Sequence, residues 1–312
     1  MLSKCDWRKI ARVLGAALMM LGLAFVAYQL YVHWSTLTQL VVKPIFVVSL
    51  IGLSAVYTLV QCLLALAWGR LVGGISGLDL APGLTISVYG RAQIAKYLPG
   101  NVFQYAGRNL LTVELGWPQS AVTLASFLET VLIAAAAATA AFVFAMISSV
   151  EIDGFGAIWL WQLAAVVALI ALWLLIKRLP GMTVVSRWFD GDSIRSMSRA
   201  SVLGLPLIYY LAFLGLSALS VCVLAATINP SINLSEVYLI AFAVSLGWLL
   251  GYVTLGAPGG LGVREATMTL ILGPVVGAPD ALAIAIAFRL MTTISDLAWF
   301  LSASLLRSKS AV

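Results

Sequence analysis

Hydrophobic positions in this chain neither alternate nor recur as a stripe; they run on without interruption. Val13–Val32, Ile45–Gly69, Gly154–Ile176 and Ala200–Ser235 are uncharged over 20, 25, 23 and 36 residues, and Val237–Ala257 continues the pattern. A spanning helix needs about 20 apolar residues, so each run is read as a membrane span, with Asn229-Pro230 ending the helix inside the longest. Pro118–Ser149 and Ala281–Leu306 are equally long but carry charges, Glu129 in the first and Arg289 and Asp296 in the second. The expectation is an all-α, polytopic membrane bundle of seven long spans forming one domain over residues 1–312. Barrel strands would alternate over about 10 positions, and these runs do not.

Two pieces are too short or too polar to span. Thr85–Asn109 contains Arg91, Lys96 and Arg108, and Ala266–Ala278 is only 13 residues long, after the turn Ala257-Pro258-Gly259-Gly260-Leu261-Gly262. Such pieces suit re-entrant or broken helices, which are tolerated at membrane depth only where protein or a wet cavity covers them. A polar interior is therefore expected. The two regions also resemble each other. Pro99 and Pro118 are 19 residues apart, Pro258 and Pro279 are 21, and a charge follows the second proline by 11 (Glu129) or 10 (Arg289) residues, with Phe127 or Phe288 just before it. Repeat-like halves around 85–149 and 237–306 carrying interrupted helices point to a transporter site.

Composition sharpens the class. Hydrophobic residues make up 62% and charged residues 10%, against about 25% charged in soluble domains, which excludes a soluble enzyme, a nucleic-acid binder and a disordered chain. The net charge of +6 is then a matter of orientation and anionic lipid. Thirteen of the eighteen Lys and Arg residues fall in 1–12, 70–108 and 177–199, while loops 33–44, 151–153 and 227–236 hold Lys43 alone. This places the N-terminus on the cytoplasmic side of the cytoplasmic (inner) membrane. Val13–Val32 is read as the first span, since it exceeds a signal-peptide core of about 7–15 residues and no small-residue cleavage site follows. Arg307 and Lys309 favour a cytoplasmic C-terminus if Ala266–Ala278 counts as a crossing. Cys5, Cys62 and Cys222 lack ligand spacing and His33 is the single histidine. No metal, cofactor, disulfide framework or catalytic set is expected. His33, beside Tyr31 and Trp34, reads as part of an interfacial aromatic belt.

The remaining charges carry the candidate chemistry. Arg264 and Glu265 open the short helix after Gly259 and Gly260. A helix N-terminus with an adjacent guanidinium is an anion site, and glycines let a headgroup approach the backbone; the alternative is a turn in which Arg264 pairs with Glu265. Lys96, Gln104 and Arg108, interleaved with Tyr97, Phe103 and Tyr105, suit headgroup contact or plain snorkelling. Glu129, Arg289 and Asp296 sit deep in apolar helices, where a charge costs at least about 2.5–3.5 kcal/mol, so they should face inward and be paired. The repeat sets Glu129 against Arg289, with Asp296 two turns beyond Arg289 as its rival partner; a purely structural polar network is the other reading. Segment 177–199 reads as an amphipathic surface helix or as a loop.

Lys96-Tyr97-Leu98-Pro99-Gly100-Asn101-Val102 with Gly107-Arg108, and Pro258-Gly259-Gly260-Leu261-Gly262-Val263-Arg264-Glu265-Ala266, resemble the two signature segments of the lysylphosphatidylglycerol synthase transmembrane-region family, also called the flippase-domain family. The resemblance covers roughly residues 10–306. It implies a helical bundle with two re-entrant elements that moves a phosphate-containing lipid between leaflets: a phospholipid, an aminoacyl-phospholipid or a polyprenyl-linked lipid. Lys96, Arg108, Arg264, Gly259 and Gly260 would touch the lipid phosphate, and Glu129, Glu265, Arg289 and Asp296 would line and gate the groove. The expectation is a standalone member without the aminoacyl-transferase domain, hence no enzyme. Expected partners are membrane lipids with anionic headgroups and no nucleic acid, with homo-oligomers in view. The competing reading is a non-catalytic membrane partner of a lipid-modifying enzyme or glycosyltransferase.

The charge bias predicts that Arg187→Cys, in a background lacking the three native cysteines, reacts with a membrane-impermeant maleimide only after cells are opened. Labelling of intact cells would reverse the assigned orientation.

Overall fold

A computed structural model describes residues 31, 34–35, 38, 43–97, 102–148, 200–254 and 258–309. The expected spans Val13–Val32 and Gly154–Ile176, His33, segment 177–199 and the break Leu98-Pro99-Gly100-Asn101 lie outside them.

The elements among the described residues are all helices, in the order α1 (Pro44–Ser76), α2 (Pro82–Gln93), a 3-10 turn (Ile94–Tyr97), α3 (Phe103–Val113), α4 (Gln119–Ile147), α5 (Ala200–Ile228), α6 (Leu234–Val253), a 3-10 turn (Pro258–Gly260), α7 (Val263–Val276) and α8 (Ala278–Lys309). Five of these, α1, α4, α5, α6 and α8, are long and apolar enough to cross a membrane. They correspond to the five expected spans that the structure describes. Differences at their ends have local causes. The longest run stops at Ile228, before Asn229-Pro230, and α6 begins at Leu234. There Asn233 and Glu236 form a capping box: the Asn233 side chain accepts from the Glu236 N–H at 3.1 Å and the Asn233 N–H donates to the Glu236 carboxylate at 2.9 Å. α8 starts at Ala278, three residues earlier than expected, because Gly277 turns the chain with φ 91°.

The bundle is apolar on the outside. Ile45, Val48, Ile51 and Leu59 on α1 are 62–72% exposed, a surface suited to lipid rather than water. Inside, α1 packs along α5 and α4 along α6. Without a hydrophobic drive between helices in lipid, close approach and hydrogen bonds hold such a bundle. Both are present. Gly90 on α2 lies so close to Trp299 on α8 that a Cβ there would fall 2.6 Å from the indole nitrogen. The Trp68 indole N–H donates to the Ser126 hydroxyl at 3.1 Å, joining α1 to α4. The Ser295 hydroxyl donates to the Ser54 carbonyl at 2.8 Å, joining α8 to α1.

The two short elements are α2–α3 and α7, each lying between long helices in sequence. Thr85–Asn109, expected as a single interrupted piece, is two helices, with the 3-10 turn 94–97 ending the first.

Asn233→Ala removes the acceptor of the capping box and is expected to cost about 1 kcal/mol, read as a lower unfolding midpoint in detergent. An unchanged midpoint would show that the box adds nothing to the fold.

Candidate functional site

α3 is amphipathic in the inverted sense. Gln104, Arg108 and Thr112, each four residues apart, are at most 4% exposed, whereas Leu110 and Val113 on the opposite side are more than half exposed. A water-soluble protein would turn such a helix over. Gln104 and Arg108 of this stripe line an internal cavity walled by α1, α2, α3, α4, α5, α6, α8 and the residues around Gly259 and Arg264. The empty space, its mouth included, is about 580 Å³. Most of that is open space at the mouth: the room left for the centres of water-sized molecules is about 40 Å³, enough for a few waters at roughly 10–15 Å³ each.

Among the described residues, three ion pairs are set around this cavity. Arg108 donates to Glu129 Oε2, and Tyr89 donates to Glu129 Oε1 at 2.5 Å. The Arg108 guanidinium also lies 3.7 Å from the centre of the Tyr89 ring, a cation–π contact. Lys96 Nζ lies 2.7 Å from Asp296 Oδ2, to which the Tyr97 hydroxyl donates at 2.6 Å. Arg289 donates to the Gly259 carbonyl at 2.9 Å and its Nε is 3.6 Å from Glu265 Oε1.

These pairings correct the expected ones. Glu129 meets Arg108, not Arg289, because α3 and α4 form a helical hairpin that brings residues 108 and 129 opposite each other. Asp296 meets Lys96 from the turn after α2 and is not a partner of Arg289. Glu265 turns to Arg289 on α8, so the local Arg264–Glu265 pair does not form. Nor do the two phenylalanines match: Phe127 is 64% exposed and Phe288 is 2% exposed.

Arg264 is left over. It lines the cavity, lies 5.1 Å from the centre of the Trp248 ring and has no hydrogen bond or ion pair among the described residues. Trp248 is braced by stacking on Tyr252 at 4.9 Å. The stem of Arg264 is seated by two glycines: a Cβ on Gly251 would fall 2.8 Å from Arg264 Cγ, and one on Gly260 would fall 2.9 Å from Gly251 Cα. Gly260 is further fixed by φ 73°, in the left-handed region, which costs other residues about 1–2 kcal/mol. The first-turn N–H groups of α7 have no side-chain cap, leaving a partial positive charge beside Arg264. Lys96 and Arg264 both lie outside the five spans. Burial pulls the Lys96 ammonium below its ordinary range against the opposing pull of Asp296. Burial first, and Arg289 second, pull the Arg264 guanidinium down.

Sequence reasoning missed several wall residues. Gln61 on α1 is 1% exposed and neither its Oε1 nor its Nε2 has a partner. Gln93 Oε1 is likewise unpartnered. The signal for Gln61 was an amide in the middle of an uncharged span, weaker than a charge but of the same kind. Tyr89, Trp248 and Gly251 gave no signal of their own. Among the described residues no cluster of metal-ligating side chains occurs.

The arrangement predicts a strong coupling between Arg108 and Glu129. Arg108→Met or Glu129→Gln alone should destabilise by about 3–5 kcal/mol, since each leaves a buried charge unpaired; the double variant should lose much less than the sum. A cycle between Glu129 and Arg289 should add within about 0.5 kcal/mol. Unfolding midpoints in detergent check both, and additive losses for Arg108 and Glu129 would remove the pair as a unit. No family model, curated protein or solved structure matches this chain.

Proposed function

We propose that the protein is a lipid flippase or lipid transporter that passes a phosphate-containing headgroup through the internal cavity while the acyl chains stay in the bilayer. The observation that carries this reading is a charged cavity inside a bundle with an aliphatic exterior, walled in part by helices too short to span. Charges in such a place are functional by default, and broken helices beside them are the usual frame of a substrate site. The two signature-like segments contribute the cavity wall at Lys96, Arg108, Gly259 and Arg264, which supports the resemblance described above.

In this mechanism Arg264, the uncapped end of α7 and the open backbone at Gly259 and Gly260 hold the phosphate. Arg108 is committed to Glu129 and acts as a post rather than a ligand. The hairpins α3–α4 and α7–α8 are the working halves of the proposed repeat, each a short helix followed by a long one and each closed by one ion pair, Arg108–Glu129 and Glu265–Arg289. The sign is reversed between them, cation first in one and carboxylate first in the other. Rocking of one hairpin against the other would open the cavity to alternate sides, with the Lys96–Asp296 pair bridging the first short element to the last long helix.

Arg264→Ala is expected to lower the rate of lipid translocation in reconstituted vesicles at least tenfold, from the loss of a charged hydrogen bond of about 1.5–3 kcal/mol, while the unfolding midpoint stays near wild type. Dithionite quenching of a fluorescent headgroup reads the rate. Unchanged translocation in the variant would remove Arg264 from the path.

A further inference from the structure

Among the described residues the charges around the cavity do not cancel. Lys96, Arg108, Arg264 and Arg289 stand against Glu129, Glu265 and Asp296, and each carboxylate already faces one cation. Arg264 is the remaining unit. In a bundle surrounded by lipid an unpaired charge is held only if something compensates it, and a group of charge −1 would close the count. A phosphomonoester, at about −1.5 to −2 near neutral pH, overshoots it; a phosphodiester does not.

The wall also rejects ammonium groups. Among the described residues Glu129 is its only carboxylate, and both its oxygens are occupied, by Tyr89 and by Arg108. Asp296 and Glu265 are not part of the wall. The Trp248 ring face, the natural seat for a quaternary amine, is taken by Arg264.

Two amides ask for more than a phosphate. Gln61 is buried in the wall with its oxygen and nitrogen both unpartnered, so the requirement holds whichever way the amide is turned. Gln93 offers a second unpartnered oxygen. Amide oxygens need donors and the amide nitrogen an acceptor; hydroxyl groups supply both without adding charge.

We infer that the cavity selects a monoanionic phosphodiester bearing free hydroxyls, a glycerol-type headgroup, against phosphomonoesters and against headgroups with an ammonium. This rests on the headgroup-site reading above and narrows it: of the lipid classes the sequence leaves open, aminoacyl-phospholipids and polyprenyl monophosphates are the disfavoured ones.

The test is lipid retention by the purified full chain, followed by native mass spectrometry from an equimolar mixture of phosphatidylglycerol, phosphatidic acid, phosphatidylethanolamine and lysylphosphatidylglycerol. Phosphatidylglycerol is expected to be retained roughly tenfold or more over each of the others. Arg264→Gln should abolish that preference, and Arg264→Lys, which keeps the charge but not the fork, should retain it at lower affinity. Gln61→Met should weaken phosphatidylglycerol but leave phosphatidylmethanol, a diester without hydroxyls, unchanged. Unfolding midpoints near wild type separate these effects from misfolding. Phosphatidic acid or the lysyl lipid retained as well as phosphatidylglycerol would overturn the inference, as would a preference that survives Arg264→Gln. Competition by water-soluble glycerophosphoglycerol would show that the headgroup alone suffices, and its failure that the chains are needed; the headgroup class stands in both cases. Selective retention without translocation in vesicles would sink the transport reading and leave the headgroup inference standing. Translocation of the lysyl lipid in preference would do the reverse.

Discussion

Arg108 and Glu129 meet inside a bundle whose outer surface is aliphatic, so neither charge has bulk water to return to. Arg108 is 1% exposed and Glu129 2%. Taking two such groups out of water costs several kcal/mol each even after relaxation, and the attraction between them offsets this only with good geometry and further hydrogen bonds. Here the extra partners are aromatic. Tyr89 donates to the second carboxylate oxygen and lays its ring against the guanidinium, with Trp68 and Tyr105 rings at 5.3 and 5.4 Å. These side chains come from α1, α2, α3 and α4. The demand of one ion pair thus fixes how four helices sit together, and in particular holds α3 with its polar stripe inward.

The same demand repeats around the cavity but is met with less margin as the chain proceeds. Lys96 and Asp296 are in hydrogen-bond contact at 2.7 Å, while Arg289 and Glu265 are 3.6 Å apart and each keeps unpartnered polar atoms. Buried polar groups are nearly always satisfied in finished folds. Here Arg264 Nε, both Glu265 oxygens and Arg289 Nη2 lack a hydrogen bond, as do Asp296 Oδ1, Arg108 Nε and both polar atoms of the Gln61 side chain elsewhere around the cavity. At the other end Glu129 has both oxygens taken, one by Tyr89 and one by Arg108.

Much of this architecture was legible from residues alone. Uncharged runs announce spans because lipid admits almost nothing else, and five of the expected seven fall on described helices. Asn229-Pro230 announced a break for the same local reasons that end any helix. The deep charges Glu129, Arg289 and Asp296 were legible as inward-facing, since the cost of facing lipid leaves no other choice. Their partners were not. Repeat symmetry set Glu129 against Arg289, but pairing follows the hairpins, and a hairpin brings a long helix back along the short helix just before it. Lys96 and Asp296 are 200 residues apart in sequence, a closure that no local spacing signals. Gln61 was missed because an amide interrupts neither hydropathy nor charge, although inside lipid it imposes a requirement of the same kind.

Arg264 shows how far packing goes to keep a charge available. An arginine that only needed burial would be given a carboxylate, and Glu265 is its direct neighbour in sequence. Instead Glu265 is drawn to Arg289 on α8. Arg264 is set over Trp248, against a gap that exists only because residues 251 and 260 have no side chain, and Gly260 adopts a backbone conformation that other residues resist. Each of these features is costly or restrictive if the aim is stability alone: an unpaired cation, a left-handed turn and two positions closed to every side chain. Together they have one effect, which is to hold a guanidinium at the cavity wall, beside the uncapped end of α7, with its donors unspent. That conjunction is why Arg264, rather than the better-buried and better-bonded Arg108, is the residue on which the functional reading turns.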